Sequence, residues 1–256
     1  MKSARIVTAA MTLVMGAYGA QAQGLQNYLN DAKKGMDKIK TGATTVAGTS
    51  GTGTPSQSEI AAGLKQALEV GAQTATSKVS AANGFFGNSI IKILMPPEAK
   101  KVETTLRNLG MGSYVDKAIL SMNRAAEDAS KKALPIFVDA IKGITINDGM
   151  SILRGSNDAA TQYLKGKTTP ALTSAFRPVI QSSLDKVNAT AYWQEVFTIY
   201  NKLPTTRTPV NPDLAGYVTE RALSGVFVNI ADEELKIRTD PAARVTDLLK
   251  KVFGFK

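Results

Sequence analysis

Beyond residue 56, apolar residues return at three- and four-residue intervals in nearly every segment, and few stretches alternate with period two. Ile60, Leu64, Ala67, Leu68, Gly71, Ala75 and Val79 share one helical face, entered through Ser56 and Glu59 at capping-box spacing. Asn83-Gly84-Phe85-Phe86-Gly87-Asn88 ends that face. Residues 90–95 form a short apolar run stopped by Pro96-Pro97, and its pattern fits buried extended chain and a helical turn equally. Pro97 opens a helix over 98–109, closed by Gly110. Ser113 starts a longer pattern through Val115, Ala118, Ile119, Met122, Ala126 and Ala129, and Pro135 predicts two helices or a sharp kink.

The same period continues to the end of the chain. A helix over 136–142 stops at Gly143, and Thr145 begins a short one that stops at Gly155. Ser156 is expected to cap a helix over 157–165. Thr169-Pro170 is expected to open the next, with Leu172, Phe176, Val179, Ile180, Leu184 and Val187 inside and a bend at Pro178. Residues 189–202 hold the main aromatic cluster, Tyr192, Trp193, Phe197 and Tyr200. After a loop over 204–209, Asn211-Pro212 reads as N-cap and first residue of a long helix to Thr239, and Asp240-Pro241 starts a last helix ending near Phe253. The prediction is an all-α fold, a single compact domain of about nine helices over residues 58–256.

The first 57 residues read differently. Lys2 and Arg5 precede an uncharged apolar run over 6–19, and Ala20-Gln21-Ala22 has the small-x-small pattern of a cleavage site, so 1–22 is expected to be a signal peptide. The run is too short to span a bilayer permanently, and no Cys follows it to take a lipid anchor. Residues 23–40 place Leu25, Tyr28, Leu29, Ala32, Met36 and Ile39 on one face and lysines mostly off it, a short cationic amphipathic helix. Residues 41–57 are a Gly/Thr/Ser linker. The expectation is a periplasmic protein with no transmembrane anchor after cleavage.

Composition narrows the chemistry. The chain has no His and no Cys, which removes Ser-His-Asp and Cys-His nucleophile systems and zinc sites built on either residue. Calcium loops are absent too, since Asn147-Asp148-Gly149 and Asn157-Asp158 sit where helix starts need capping residues. Neither a metal nor a cofactor is expected. The net charge of +10 falls to +8 without Lys2 and Arg5, and no basic block exceeds two residues. That charge suits an anionic lipid surface, an envelope protein or a cell-wall component. With no recognised motif or basic strand interleaved with aromatics, it argues against nucleic acid.

Acid-base chemistry would fall to carboxylates, and Glu127, Glu220 and Glu233 are the catalytic candidates. Ion pairing at helical spacing, such as Glu234 with Arg238, is the competing reading. Asn123, Arg124, Asp139, Lys142, Arg177 and Arg244 adjoin apolar stripe positions, so they are candidates for polar contacts between helices or for the wall of a binding pocket.

Several blocks, in one order, carry a resemblance. They are Leu120-Ser121-Met122-Asn123-Arg124-Ala125-Ala126-Glu127, Pro135-Ile136-Phe137-Val138-Asp139-Ala140-Ile141-Lys142 and Asp158-Ala159-Ala160-Thr161-Gln162-Tyr163-Leu164. Tyr217-Val218-Thr219-Glu220-Arg221-Ala222-Leu223 and the block from Asp240-Pro241 to Phe253-Gly254 complete the series. Together they resemble a family of exported bacterial helical domains catalogued only as a domain of unknown function. The resemblance implies a bacterial source, a periplasmic setting and one helical domain, and brings no activity or site residues. The expected function is a non-catalytic binding or interaction domain for an envelope component or partner protein. Alternatives are a carboxylate-based hydrolase of cell-wall glycan and a carrier of a small apolar ligand. The hydrolase needs two carboxylates about 5–10 Å apart in a cleft. The carrier needs an apolar cavity of at least roughly 300 Å³.

Overall fold

A computed structural model describes residues 56–202, 209, 213–244, 250 and 252–253, without the side chains of Tyr192, Glu195, Val196, Ile199 and Tyr200. The expected signal peptide, amphipathic segment and most of the linker lie outside the described residues. So do Asn211-Pro212 and most of the expected last helix.

Among the described residues there are eight α-helices and no strand. They are α1 (Gln57–Ser80), α2 (Lys100–Asn108), α3 (Gly112–Ser130), α4 (Ala133–Lys142), α5 (Ile146–Arg154), α6 (Ala159–Asp185), α7 (Ala189–Asn201) and α8 (Leu214–Thr239). Short 3-10 turns, Pro97–Ala99 and Pro241–Ala243, precede α2 and follow α8. The helical period placed these elements because the expected stripes are the buried ones: Leu64, Ala67, Leu68, Ala75 and Val79 on α1, and Val115, Ile119, Met122, Ala126 and Ala129 on α3. The Ser56–Glu59 capping box forms, as does a second at Thr145 and Asp148. Pro135 falls in the first turn of α4, where the missing N–H is tolerated, so α3 and α4 are separate helices.

Helix α6 differs from expectation. The two helices predicted for 157–165 and beyond Pro170 are one, running through both Pro170 and Pro178. Each proline frees an acceptor four residues earlier, on Gly166 and Ser174, and all four residues are exposed, so the freed carbonyls are open to solvent. The buried residues Ala160, Leu164, Thr168, Leu172, Phe176, Ile180 and Leu184 recur at every fourth position. Each step of four residues turns the stripe by about 40°, so it winds around the helix and meets several neighbours in succession. Helix α6 accordingly packs on α3, α4, α5, α7 and α8, and is the centre of the bundle.

Helix α1 closes the other side against α8, α4 and α5. Phe137 of α4 and Phe227 of α8 meet edge to face at 5.8 Å in the core between them. Gly225 is required where Phe85 meets α8, because a Cβ there would lie 2.5 Å from Phe85 Cε1. Helix α8 starts at Leu214, with Asp213 accepting from the Gly216 N–H at 2.8 Å. Residues 90–95 resolve as non-helical chain in which Ile91 and Ile93 are buried while Ile90 and Leu94 face outward.

Candidate functional site

Three of the candidate residues come together because they share α3. Asn123 is fully buried; its Nδ2 donates to the carbonyls of Ile93 (2.8 Å) and Ile119 (2.7 Å), and its Oδ1 accepts from the Ile93 N–H (2.9 Å). The side-chain amide thus pairs with one residue of the 90–95 segment as a neighbouring strand would. One turn on, Glu127 Oε1 accepts from the N–H groups of Phe85 and Phe86, each at 3.2 Å, while Oε2 accepts from Arg124 Nη1 at 2.6 Å. Arg124 also donates to Asn83 Oδ1 at 2.8 Å, at the residue whose φ of 65° turns the chain after α1. Both Glu127 oxygens are therefore engaged in holding the 83–93 connection against α3.

The other candidates stand apart from this group. Asp139 and Lys142 are exposed and 3.9 Å apart on α4. Arg177 meets Asp213 at 2.8 Å, tying α6 to the start of α8, and both are about half exposed. Burial raises the Asp213 carboxyl, but the Gly216 N–H and Arg177 outweigh it and the carboxyl lies below its ordinary value. Arg244 donates to the carbonyls of Ile237 (3.1 Å) and Arg238 (3.0 Å), closing the end of α8. Glu220 is exposed, and Glu233 pairs with Lys236 at 2.7 Å beside Gly71 of α1. No cluster of three acidic side chains that would hold a metal occurs among the described residues.

The expected pair of Glu234 and Arg238 is present, but it is buried rather than a surface contact. Glu234 accepts from the N–H groups of Ala160 (3.0 Å) and Thr161 (2.8 Å), and from the Thr161 hydroxyl (2.7 Å). It thereby supplies from α8 the cap that Ser156 was expected to give; the Ser156 hydroxyl instead donates to Asp158 at 2.6 Å. A signal existed in the sequence, since Glu234 lies between Ile230 and Ile237 on the buried stripe of α8.

A cavity of about 1060 Å³ opens between α2, α3 and α7. Its wall is mostly apolar: Met95, Val102 and Leu106 on one side, Ala118, Met122 and Ala125 of α3 along the floor, and Val187, Trp193, Phe197 and Leu214 opposite. Lys117, Ser121, Arg124, Asp128 and Lys131 give it one polar edge along α3. Asp128 pairs with Lys131 at 2.7 Å, and that hydrogen bond holds its carboxyl below the usual range. The lining runs from Tyr114 to Lys131, which at the helical rise per residue is about 25 Å. Trp193 and Phe197, of the aromatic cluster over 189–202, are buried and also line this space.

Residues 54–254 match the family model described as "Protein of unknown function (DUF4197)". The chain belongs to the DUF4197 family. The match covers every described helix, so the α3 clasp, the Glu234–Arg238 pair and the cavity all lie within the DUF4197 domain. No curated protein and no solved structure matches the chain. No described helix of this DUF4197 protein is long and apolar enough to cross a membrane.

Proposed function

We propose that this protein is a non-catalytic binding domain of the bacterial cell envelope whose cavity takes up a molecule with a long apolar chain. The cavity carries this reading. Its volume of about 1060 Å³ lies at the upper end of small-molecule sites, and its walls are mostly apolar, with the charged groups along α3. A length of about 25 Å exceeds one leaflet of a bilayer's hydrocarbon core, roughly 15 Å, so an extended acyl chain fits within it. A mostly apolar wall with a charged edge suits an amphipathic ligand, its chain along Ala118, Met122 and Phe197 and its head beside Lys117.

The n-region, apolar run and Ala20-Gln21-Ala22 support delivery to the periplasm, where such molecules are exchanged between membranes. Catalysis finds less support. Of the three carboxylates proposed for it, Glu127 is occupied by two backbone N–H groups and Arg124, and Glu233 by Lys236.

The test uses Trp193, the single tryptophan of the chain, which lines the cavity. Titrating the delipidated protein with palmitate should shift and saturate its emission, and native mass spectrometry should show one molecule bound. A flat titration with palmitate and with phospholipid in detergent micelles would overturn the reading.

A further inference from the structure

The connection between α2 and α3 exposes three large apolar side chains within six residues: Leu109 is 69 %, Met111 41 % and Tyr114 65 % accessible. Gly110, at a φ of 77°, makes the turn that carries them. Helix α2 has no buried residue and packs mainly on α3 and on the preceding turn, so this hairpin projects from the bundle. Apolar groups at such a tip remain in water at a cost unless another surface covers them.

The charges around the tip select that surface. Arg107 is neutralised by Glu103 (3.0 Å) and Asp116 (2.8 Å). Lys100, Lys101 and Lys117 are exposed, and among the described residues none has a carboxylate within ion-pair distance. Glu98, at the base of the hairpin, is the remaining acid nearby in the sequence. Lys117 stands within two turns of the tip, and Lys100 and Lys101 lie about 12–14 Å behind it along α2. Lysines set back from three exposed apolar side chains complement a layer of anionic phosphates above hydrocarbon.

We propose that the α2–α3 hairpin docks this protein onto an anionic lipid bilayer. Leu109, Met111 and Tyr114 enter the interface, and Lys100, Lys101 and Lys117 contact phosphate. The docking does not depend on what fills the cavity. Tyr114 belongs to both, however, so docking brings the cavity mouth to the surface from which an apolar chain would be drawn; that last step rests on the function proposed above.

Flotation of the full mature chain with phosphatidylglycerol-containing vesicles tests it. Binding should be strong on these, weak on pure phosphatidylcholine and reduced by salt. The triple variant Leu109→Ser/Met111→Ser/Tyr114→Ser should partition about tenfold more weakly. The charge variant Lys100→Gln/Lys101→Gln/Lys117→Gln leaves the apolar tip intact and should lose only the preference for anionic vesicles. Unchanged flotation of both variants would overturn the proposal and assign any membrane binding to another segment. A wild-type dimer that the triple variant abolishes, without vesicle binding, would overturn it in favour of a second copy. The Trp193 response to palmitate, measured without vesicles on Lys100→Gln/Lys101→Gln, which leaves every cavity-lining residue in place, is expected to persist. Its loss in the wild type would remove the cavity reading and leave docking standing.

Discussion

Glu234 and Arg238 stand one turn apart on α8, joined at 2.8 Å, and between them they close the ends of two other helices. The Glu234 carboxylate takes the first N–H groups of α6, and Arg238 donates to the carbonyls of Ile152 (2.8 Å) and Leu153 (3.3 Å) in the last turn of α5. Each charge has the sign that its helix end favours, negative at an N-terminus and positive at a C-terminus. Both side chains are nearly buried, so removing either leaves the other unpaired in the interior. Glu234→Ala or Arg238→Ala should each lower stability by about 3–5 kcal/mol in urea unfolding. The double variant should lose much less than the sum, since neither charge is then stranded.

Helical period determines some features of this chain and leaves others open. Stripes, the capping box at Ser56, the helix start at Thr145 and the stop at Gly143 were legible because each is local. The continuity of α6 was not, because a helix continues through Pro170 and Pro178 only where the displaced carbonyls can turn to solvent, and that exposure follows from the packed bundle. Glu127 and Glu234 look like any helical acids in the sequence. Their partners lie 41, 42, 73 and 74 residues away, so only the fold reveals that their oxygens are engaged. The cavity was equally hidden. Its wall draws on α2, α3 and α7, and Trp193 alone gives no sign of which side of it is empty.

Asn123 provides a measurable link between side chain and backbone. Its amide satisfies both the N–H and the C=O of Ile93, which would otherwise be buried without partners. Asn123→Ala should cost about 2–3 kcal/mol. Hydrogen exchange should show the Ile93 amide losing protection by more than the global change accounts for, while core amides of α6 follow global unfolding. Uniform loss across both would contradict a local clasp.

Glu69 gives the pH dependence a sign. Burial raises its carboxyl above the ordinary value of 4.5, against the opposing pull of Lys142 and Lys65. The folded protein therefore holds this proton more tightly than the unfolded chain. Its contribution to stability is present below 4.5 and lost as pH rises through the folded value. Glu69→Gln should thus be more stable than the wild type near neutral pH. The advantage should shrink on acidification and vanish once Glu69 is protonated in both states. Melting temperatures across that range read the difference, and a gain that grows on acidification would reverse the assignment.

Filling the cavity separates a binding site from a packing defect. Ala118 lines it from α3 and is only partly buried, at the border of the core stripe, so a larger side chain there has the cavity to extend into. Ala118→Phe should weaken palmitate binding about tenfold or more, a loss of roughly 1.4 kcal/mol or greater, as read by Trp193 emission. Because the added ring buries apolar surface without displacing neighbours, the ligand-free variant should melt no lower than the wild type. The wild type should gain thermal stability from saturating palmitate and the variant should not, since a ligand stabilises only the folded state that binds it. A variant that still binds with wild-type affinity would place the palmitate elsewhere on the molecule, and the cavity would then be a gap between helices with no ligand of its own.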